Sequence, residues 1–245
     1  MTHKEKFKIR TSECDNKMKL IPAAILDMFQ ETAGRHCVPT KLDSPSLIKK
    51  HNSTWVLTAM AIEFKEFPKW PEEVEVETWA KSFTGFKAFR DYKVYNKDGK
   101  SIVAGASIWA MLNLDTHRPT KIDTIASAMT LNSGVDALNV KPGKLELDSD
   151  NFEETLIKVT FGDIDMNNHV SNIQYIAWLY QNTNKEYLEN SELRSLNIAY
   201  KGEAYLNDEL IYKSSINNGS GSHIFVNRDT GREICKISST WETIN

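Results

Sequence analysis

The sequence predicts an α+β chain in which one unit, a long helix followed by antiparallel strands, occurs twice. Three observations predict it. An Asp followed seven residues later by the start of an apolar helical pattern occurs at Asp15–Pro22, and again 150 residues on at Asp165–Asn172. Ile62-x-Phe64 and Trp70-Pro-Glu-Glu-Val74 resemble Ile198-x-Tyr200 and Leu206-Asn-Asp-Glu-Leu210, 136 residues apart. Asp98-Gly-Lys100 and Ser107-Ile-Trp109 resemble Thr230-Gly-Arg232 and Ser239-Thr-Trp241, 132 residues apart. The order is kept and the spacing falls only twice. The first half therefore carries 14 extra residues between its helix and the next strand, and 4 more near its hairpin.

The elements follow in order. A strand at Phe7–Thr11 precedes the first helix, which runs from Pro22 to about His36. Proline suits the first helical turn, where its missing N–H would have no partner anyway. Ile25, Met28, Phe29 and Thr32 fall on one helical face. Strands are expected at Trp55–Phe64, Val74–Phe83, Phe86–Tyr95 and Ile102–Leu114. Val74-Glu-Val-Glu-Thr78 alternates, the mark of a half-buried strand. Asn96–Lys100 reads as a hairpin, with Gly99 supplying the positive φ. Residues 116–150 carry few signals beyond Pro142-Gly143 and read as a connector.

In the second half, a strand at Thr155–Thr160 precedes a helix starting near Asn172, a capping type of residue. Its stripe is Ile173, Ile176, Ala177 and Tyr180. Strands follow at Leu193–Tyr200, Leu210–Ile216, His223–Asn227 and Ile234–Trp241, with turns at Asn217–Gly221 and Asp229–Gly231. The expected organisation is a first unit over 1–130, a linker over 131–150 and a second unit over 151–245.

Composition excludes several classes. The 245 residues are 40% apolar and 26% charged with a net charge of −3, which argues against a broad nucleic-acid surface but allows a local basic patch. No apolar run approaches the ~20 residues of a membrane-spanning helix. Met1–Phe7 is polar, unlike a secretory signal. Cys14, Cys37 and Cys235 are widely spaced, give no CxxC signal and no disulfide framework, and fit a reduced cytosolic setting. No G-x-S-x-G, phosphate-binding or dinucleotide-binding glycine motif occurs.

The densest polar stretch is 161–170, with Asp163, Asp165, Asn167 and His169 just before the second helix. If extended, it projects alternate side chains to one side. Histidine can move a proton near neutral pH, a carboxylate can fix its tautomer, and a helix N-terminus suits a developing oxyanion. The competing reading is a polar loop that caps the helix. A metal set of Asp163, Asp165 and His169 is weaker, because those types are common at such spacing. Glu203 stands where the first half has Phe67, and Asn167 and His169 stand where it has Lys17 and Lys19. The polar set is thus assembled once.

Phe29-Gln-Glu-Thr-Ala33, Trp55-Val-Leu-Thr58, Trp70-x-x-x-Val-x-Val-x-Thr-Trp79, Ser107-x-Trp109, Asp165-x-Asn167-x-His169-Val170-x-Asn172-x-x-Tyr175 and Tyr200-x-x-Glu203 occur in that order. Together they resemble the acyl-acyl carrier protein thioesterases over nearly the whole chain. The resemblance implies two tandem hotdog units, each a long helix on an antiparallel sheet, forming a pseudo-dimer. It implies hydrolysis of fatty acyl-acyl carrier protein to free fatty acid in fatty acid biosynthesis. Catalytic roles carry over to Asp165, Asn167, His169 and Glu203, with no metal or organic cofactor. Ala204 replaces the cysteine that plant members often carry, so no cysteine nucleophile is expected there, and Ser171 replaces a frequent Asn. The plant-type transit segment is absent, which leads to the expectation of a bacterial, cytoplasmic enzyme. The first half is expected to form the acyl pocket, with Met28, Phe29 and Trp55 as substrate-binding residues. Lys49-Lys50 is a candidate docking point for the acidic carrier protein. Alternatives are an acyl-coenzyme A thioesterase, a hotdog hydratase or dehydratase, and a non-catalytic acyl-thioester binding module. The sequence leaves open the preferred acyl chain, the oligomeric state (a homodimer included), and whether Glu203 or the Asp165–His169 pair is the base.

Overall fold

The computed structural model describes residues 2–122, 125–145, 147 and 151–244. The chain divides into two units, Met1–Lys141 and Pro142–Asn245. Part of the expected connector (123–124, 146 and 148–150) lies outside the described residues.

In the first unit, helix α1 (Pro22–Cys37) begins on its proline and buries Ile25, Met28, Phe29 and Thr32. Arg35 in its last turn favours the negative end of the helix dipole. The strands are β1 (His3–Lys8), β2 (Ser53–Phe64), β3 (Glu73–Thr84), β4 (Lys87–Tyr95) and β5 (Ser101–Asn113). They pair antiparallel in the order β1-β3-β4-β5-β2. Val74, Val76 and Thr78 of β3 are buried while Glu75 and Glu77 between them are not, the alternation the sequence carries. The first strand ends at Lys8 rather than Thr11, because Thr11–Glu13 turns into a 3-10 helix.

Phe29 ties helix to sheet. Its ring stacks on Tyr92 of β4, with centroids 4.5 Å apart. It also lies so close over Gly105 of β5 that an added Cβ would be 2.4 Å from Phe29 Cε2. Absence of a side chain at 105 is what lets the helix approach. The extra first-half residues include a short helix, α2 (Ser44–His51), which the strand-centred reading did not anticipate. Asp43 caps it and Leu47 is fully buried, so it closes one end of the core beside Leu42, Met111, Ile122 and Met129. Lys49 and Lys50 occupy its last, exposed turn. The segment after β5 packs on this unit through Ile122, Ala126 and Met129, and through Leu138 against Ala61 and Ala104.

The second unit has the same plan on a shorter helix. Its strands are β6 (Glu153–Lys158), β7 (Ser191–Tyr200), β8 (Glu209–Asn217), β9 (Ser220–Asn227) and β10 (Glu233–Thr243), in the order β6-β8-β9-β10-β7. Helix α3 spans Asn172–Gln181, capped by Ser171 rather than Asn172. Its buried face is Tyr175, Ile176, Trp178 and Leu179, rotated from the stripe read off the sequence. The aromatics decide this: Tyr175 packs edge-on to Tyr200 and Phe225, and Trp178 also meets Phe225. A further short helix, α4 (Lys185–Asn190), precedes β7.

The repeat is visible bond by bond. Asp15 N donates to Lys19 O and Asp165 N to His169 O. Leu20 N donates to Pro68 O, and Val170 N to Ala204 O. Lys65 N and Glu66 N both reach Ile102 O, as Lys201 N and Gly202 N both reach Ile234 O. The indoles of Trp109 and Trp241 each donate to the serine two residues before them, Ser107 and Ser239, at 2.8 Å. These pairs carry the same spacings of 150, 136 and 132 read in the sequence. Among the described residues no helix is long and apolar enough to cross a membrane.

Candidate active site

The polar stretch before α3 is not extended. Phe161–Asp163 forms a 3-10 turn, and the Asp163 carboxylate accepts from both N and Oγ1 of Thr160 at 2.7 Å. That bonding commits Asp163 to closing the turn. The chain then folds back tightly. Asp165 Oδ1 accepts from Asn167 N at 2.8 Å, Asn168 adopts φ +64°, and Ile164 bridges Val170. An aspartate accepting from the backbone two residues on makes such a turn locally stable. The turn, not a strand pleat, brings Asp165, Asn167 and His169 to one place.

Glu203 arrives from the segment after β7. The bond from Val170 N to Ala204 O, 2.8 Å, joins the two loops one residue away from His169 and from Glu203. His169 therefore lies between two carboxylates: Nδ1 is 3.8 Å from Asp165 Oδ1, and Nε2 is 4.0 Å from Glu203 Oε1. Both exceed a direct hydrogen bond, and both sit at the edge of ion-pair range. Asn167 Nδ2 donates to Asp165 Oδ2 at 3.2 Å, which holds its amide on the Asp165 carboxylate. Glu203 Oε2 accepts from Tyr205 Oη at 2.6 Å, and that bond pushes the phenol up to about 12. The set is half-open to solvent, with Glu203 the most accessible of the three side chains.

The first unit builds the same frame without the chemistry. Asp15 Oδ1 accepts from Lys17 N and Lys19 N, Met18 has φ +61°, and Leu20 N hooks Pro68 O. Lys17, Lys19, Phe67 and Lys69 stand where the second unit has Asn167, His169, Glu203 and Tyr205. The three residues expected at an acyl pocket are all in the first unit. Met28 and Phe29 are buried on the inner face of α1. Trp55 is half-buried on β2 and donates its indole N–H to Leu42 O at 2.7 Å. The sequence reading passed over Tyr205; its signal was an aromatic two residues after Glu203 where the first half has a lysine.

A long helix laid on a five-stranded antiparallel sheet, present twice in one chain, is a double hotdog fold. An acyl-ACP thioesterase from Bacteroides thetaiotaomicron has this fold, with TM-score 0.88 and 25% identity over 98% of each chain. The 12:0-ACP thioesterase from Umbellularia californica matches with TM-score 0.86 and 20% identity, over 99% of this chain and 98% of that one. Family models for the acyl-ACP thioesterase N-terminal and C-terminal domains match residues 1–128 and 146–243. The chain belongs to the acyl-ACP thioesterase family. A chloroplastic acyl-[acyl-carrier-protein] hydrolase of Cuphea viscosissima is 28% identical over 215 residues, 83% of this chain and 52% of the relative. The chain thus spans about half the length of that curated relative.

Proposed function

We propose that the chain hydrolyses the thioester of fatty acyl-acyl carrier protein, releasing free fatty acid, with the chemistry held in the second unit. The observation that carries this reading is the convergence of His169 with Asp165 and Glu203 in one unit, where the first unit keeps the aspartate as Asp15 but has Lys19 and Phe67 in place of the histidine and glutamate. The family membership and the relatives' names support the substrate class.

In the proposed mechanism a water attacks the thioester carbonyl carbon. Glu203 Oε1 and His169 Nε2 face each other across 4.0 Å, so a water beside them is within reach of both. Glu203 takes the water's proton as the C–O bond forms and the carbonyl oxygen becomes an oxyanion. Asn167 keeps one amide N–H beyond its bond to Asp165, and offers it to that oxygen. When the C–S bond breaks, the proton that Glu203 took passes by way of His169 Nε2 to the departing thiol sulfur, which returns both groups to their starting state, and Asp165 orients the ring from the Nδ1 side. The products are a fatty acid and the carrier's free thiol.

The first unit, with Met28, Phe29 and Trp55, is proposed as the acyl-pocket side, and an acidic carrier protein as the partner, in the cytoplasm. The test is thiol release from a series of acyl-carrier thioesters of increasing chain length, beside matched acyl-coenzyme A. Turnover is expected on the carrier-bound substrates at higher kcat/KM, and Glu203→Gln is expected to lower kcat by ~10²–10⁴ with an unchanged melting curve. Absence of thiol release at every chain length refutes the activity. A folded Glu203→Gln protein with wild-type kcat removes Glu203 and leaves the Asp165–His169 pair as the base.

A further inference from the structure

We propose that Tyr205 is a positioning residue: its phenol holds one oxygen of Glu203 so that the other faces His169. This rests on the reading of Glu203 as the base. Glu203 is half-exposed, on an irregular segment, and a glutamate has three side-chain torsions to immobilise. Left alone it would sample many orientations over its partner. Tyr205 Oη donates to Oε2 at 2.6 Å, and this leaves Oε1 on the side of His169 Nε2. The bond is the leading cause that pushes the phenol up to about 12, as expected for a proton shared with a carboxylate. Such charge-assisted bonds are the short, strong ones.

The phenol itself stands on a closed support. Tyr205 N donates to Asp208 Oδ2 at 2.9 Å, and Asp208 N returns to Tyr205 O at 3.0 Å. The Asp208 carboxylate is in turn held by Asn227 Nδ2. A tyrosine has two side-chain torsions against a glutamate's three, so fixing its backbone leaves fewer orientations for the bond to Glu203 to select. Ala204, between the two residues, is fully buried and carries the hook from Val170.

The first unit shows that the fold does not need a phenol here. Lys69, at the corresponding position, closes the same turn: its N donates to Glu72 Oε2 at 2.9 Å, and Glu72 N returns to Lys69 O at 2.8 Å. A lysine serves the turn; the tyrosine appears only in the unit that also has the glutamate. The aromatic is therefore placed for the carboxylate, not for the backbone.

The experiment is a double-mutant cycle of Tyr205→Phe with Glu203→Gln, assayed for thiol release from palmitoyl- and lauroyl-acyl carrier protein. Tyr205→Phe alone is expected to lower kcat about tenfold or more, the scale of a lost hydrogen bond to a charged group, with KM within about twofold. In the Glu203→Gln background the same change is expected to cost less than about twofold, because the carboxylate it acts through is gone. Equal losses in both backgrounds, or a Tyr205→Phe kcat at the wild-type level, overturn the proposal. Tyr205→Lys, which copies the first unit's turn, checks folding: it is expected to melt with the wild type and still lose kcat. A wild-type kcat in Glu203→Gln alone refutes the reading of Glu203 instead, so the two failures are told apart.

Discussion

His223 makes the stability of this chain depend on pH, and His223→Gln isolates the effect. The residue lies on β9 with no exposed surface. Its Nδ1 is 2.9 Å from Tyr212 Oη and 3.1 Å from Ser214 Oγ, and its Nε2 is 2.9 Å from Ser239 Oγ. Ser239 Oγ also accepts the Trp241 indole, so its own proton is free to point at the ring. Hydroxyls face both nitrogens and satisfy a neutral imidazole; none supplies a negative charge for an imidazolium. Burial accordingly pushes His223 down to about 3. In the unfolded chain the same ring takes a proton near pH ~6.5. Below that pH the unfolded state binds one more proton than the native state, so stability falls as pH falls, by ~1.4 kcal/mol per unit.

Between pH ~6.5 and ~4.5 the loss sums to about 2 kcal/mol, a sizeable share of the ~5–15 kcal/mol typical of a folded domain. His36, pushed down to about 4 by burial and the neighbouring Arg90, adds to the same slope. Asp27 and Asp91, pushed up by burial, act with the opposite sign. Those three are common to wild type and variant and cancel in the difference. The glutamine keeps a donor and an acceptor toward the hydroxyls. Urea unfolding followed by tryptophan fluorescence at several pH values from 5 to 7 is expected to show a shallower fall in the variant, by close to one proton's worth. Parallel stability-against-pH curves would refute the reasoning and mean that the ring finds a counter-charge or water on protonation.

Gly105→Ala is expected to cost ~1–3 kcal/mol by overpacking, since the new Cβ meets the Phe29 ring at 2.4 Å and that ring is already stacked on Tyr92. A melting curve superposable on the wild type would show that α1 can lift without cost. His169→Ala is expected to lower kcat by ~10²–10⁴ while changing stability by less than ~0.5 kcal/mol, as read from kinetics and melting on one sample; retained kcat would place the proton transfer elsewhere. Turnover of carrier-bound substrate is expected to weaken with added salt more than turnover of a small pantetheine thioester, and Lys49→Glu with Lys50→Glu to lower the carrier-bound rate and flatten its salt dependence. Equal salt dependence for both substrates would count against electrostatic docking.

Much of the architecture was legible because it is local or repeated. The stripe Ile25–Thr32 announces the buried face of α1, and the alternation at Val74–Thr78 announces that of β3. The duplicated turns were legible because each needs the same side chain, Asp15 or Asp165, to hold its backbone. Asp165, Asn167 and His169 could be grouped since they are neighbours in the chain, and Glu203 stood out against Phe67. Tertiary structure alone decided the rest. Periodicity says which residues are apolar, not which neighbours they meet across a sheet, so the buried face of α3 turned toward Phe225 and Tyr200. The polar stretch at 161–169 folds into turns because Asp163 and Asp165 bond their own backbone neighbours, a competition that spacing does not resolve. Glu203 comes to His169 through one backbone bond from Val170 to Ala204, set by the register of segments far apart in sequence. His223 reads as one polar residue in a strand. Its place in the core exists because Gly221, across from Ser239, leaves the room that the imidazole and the serine hydroxyl fill.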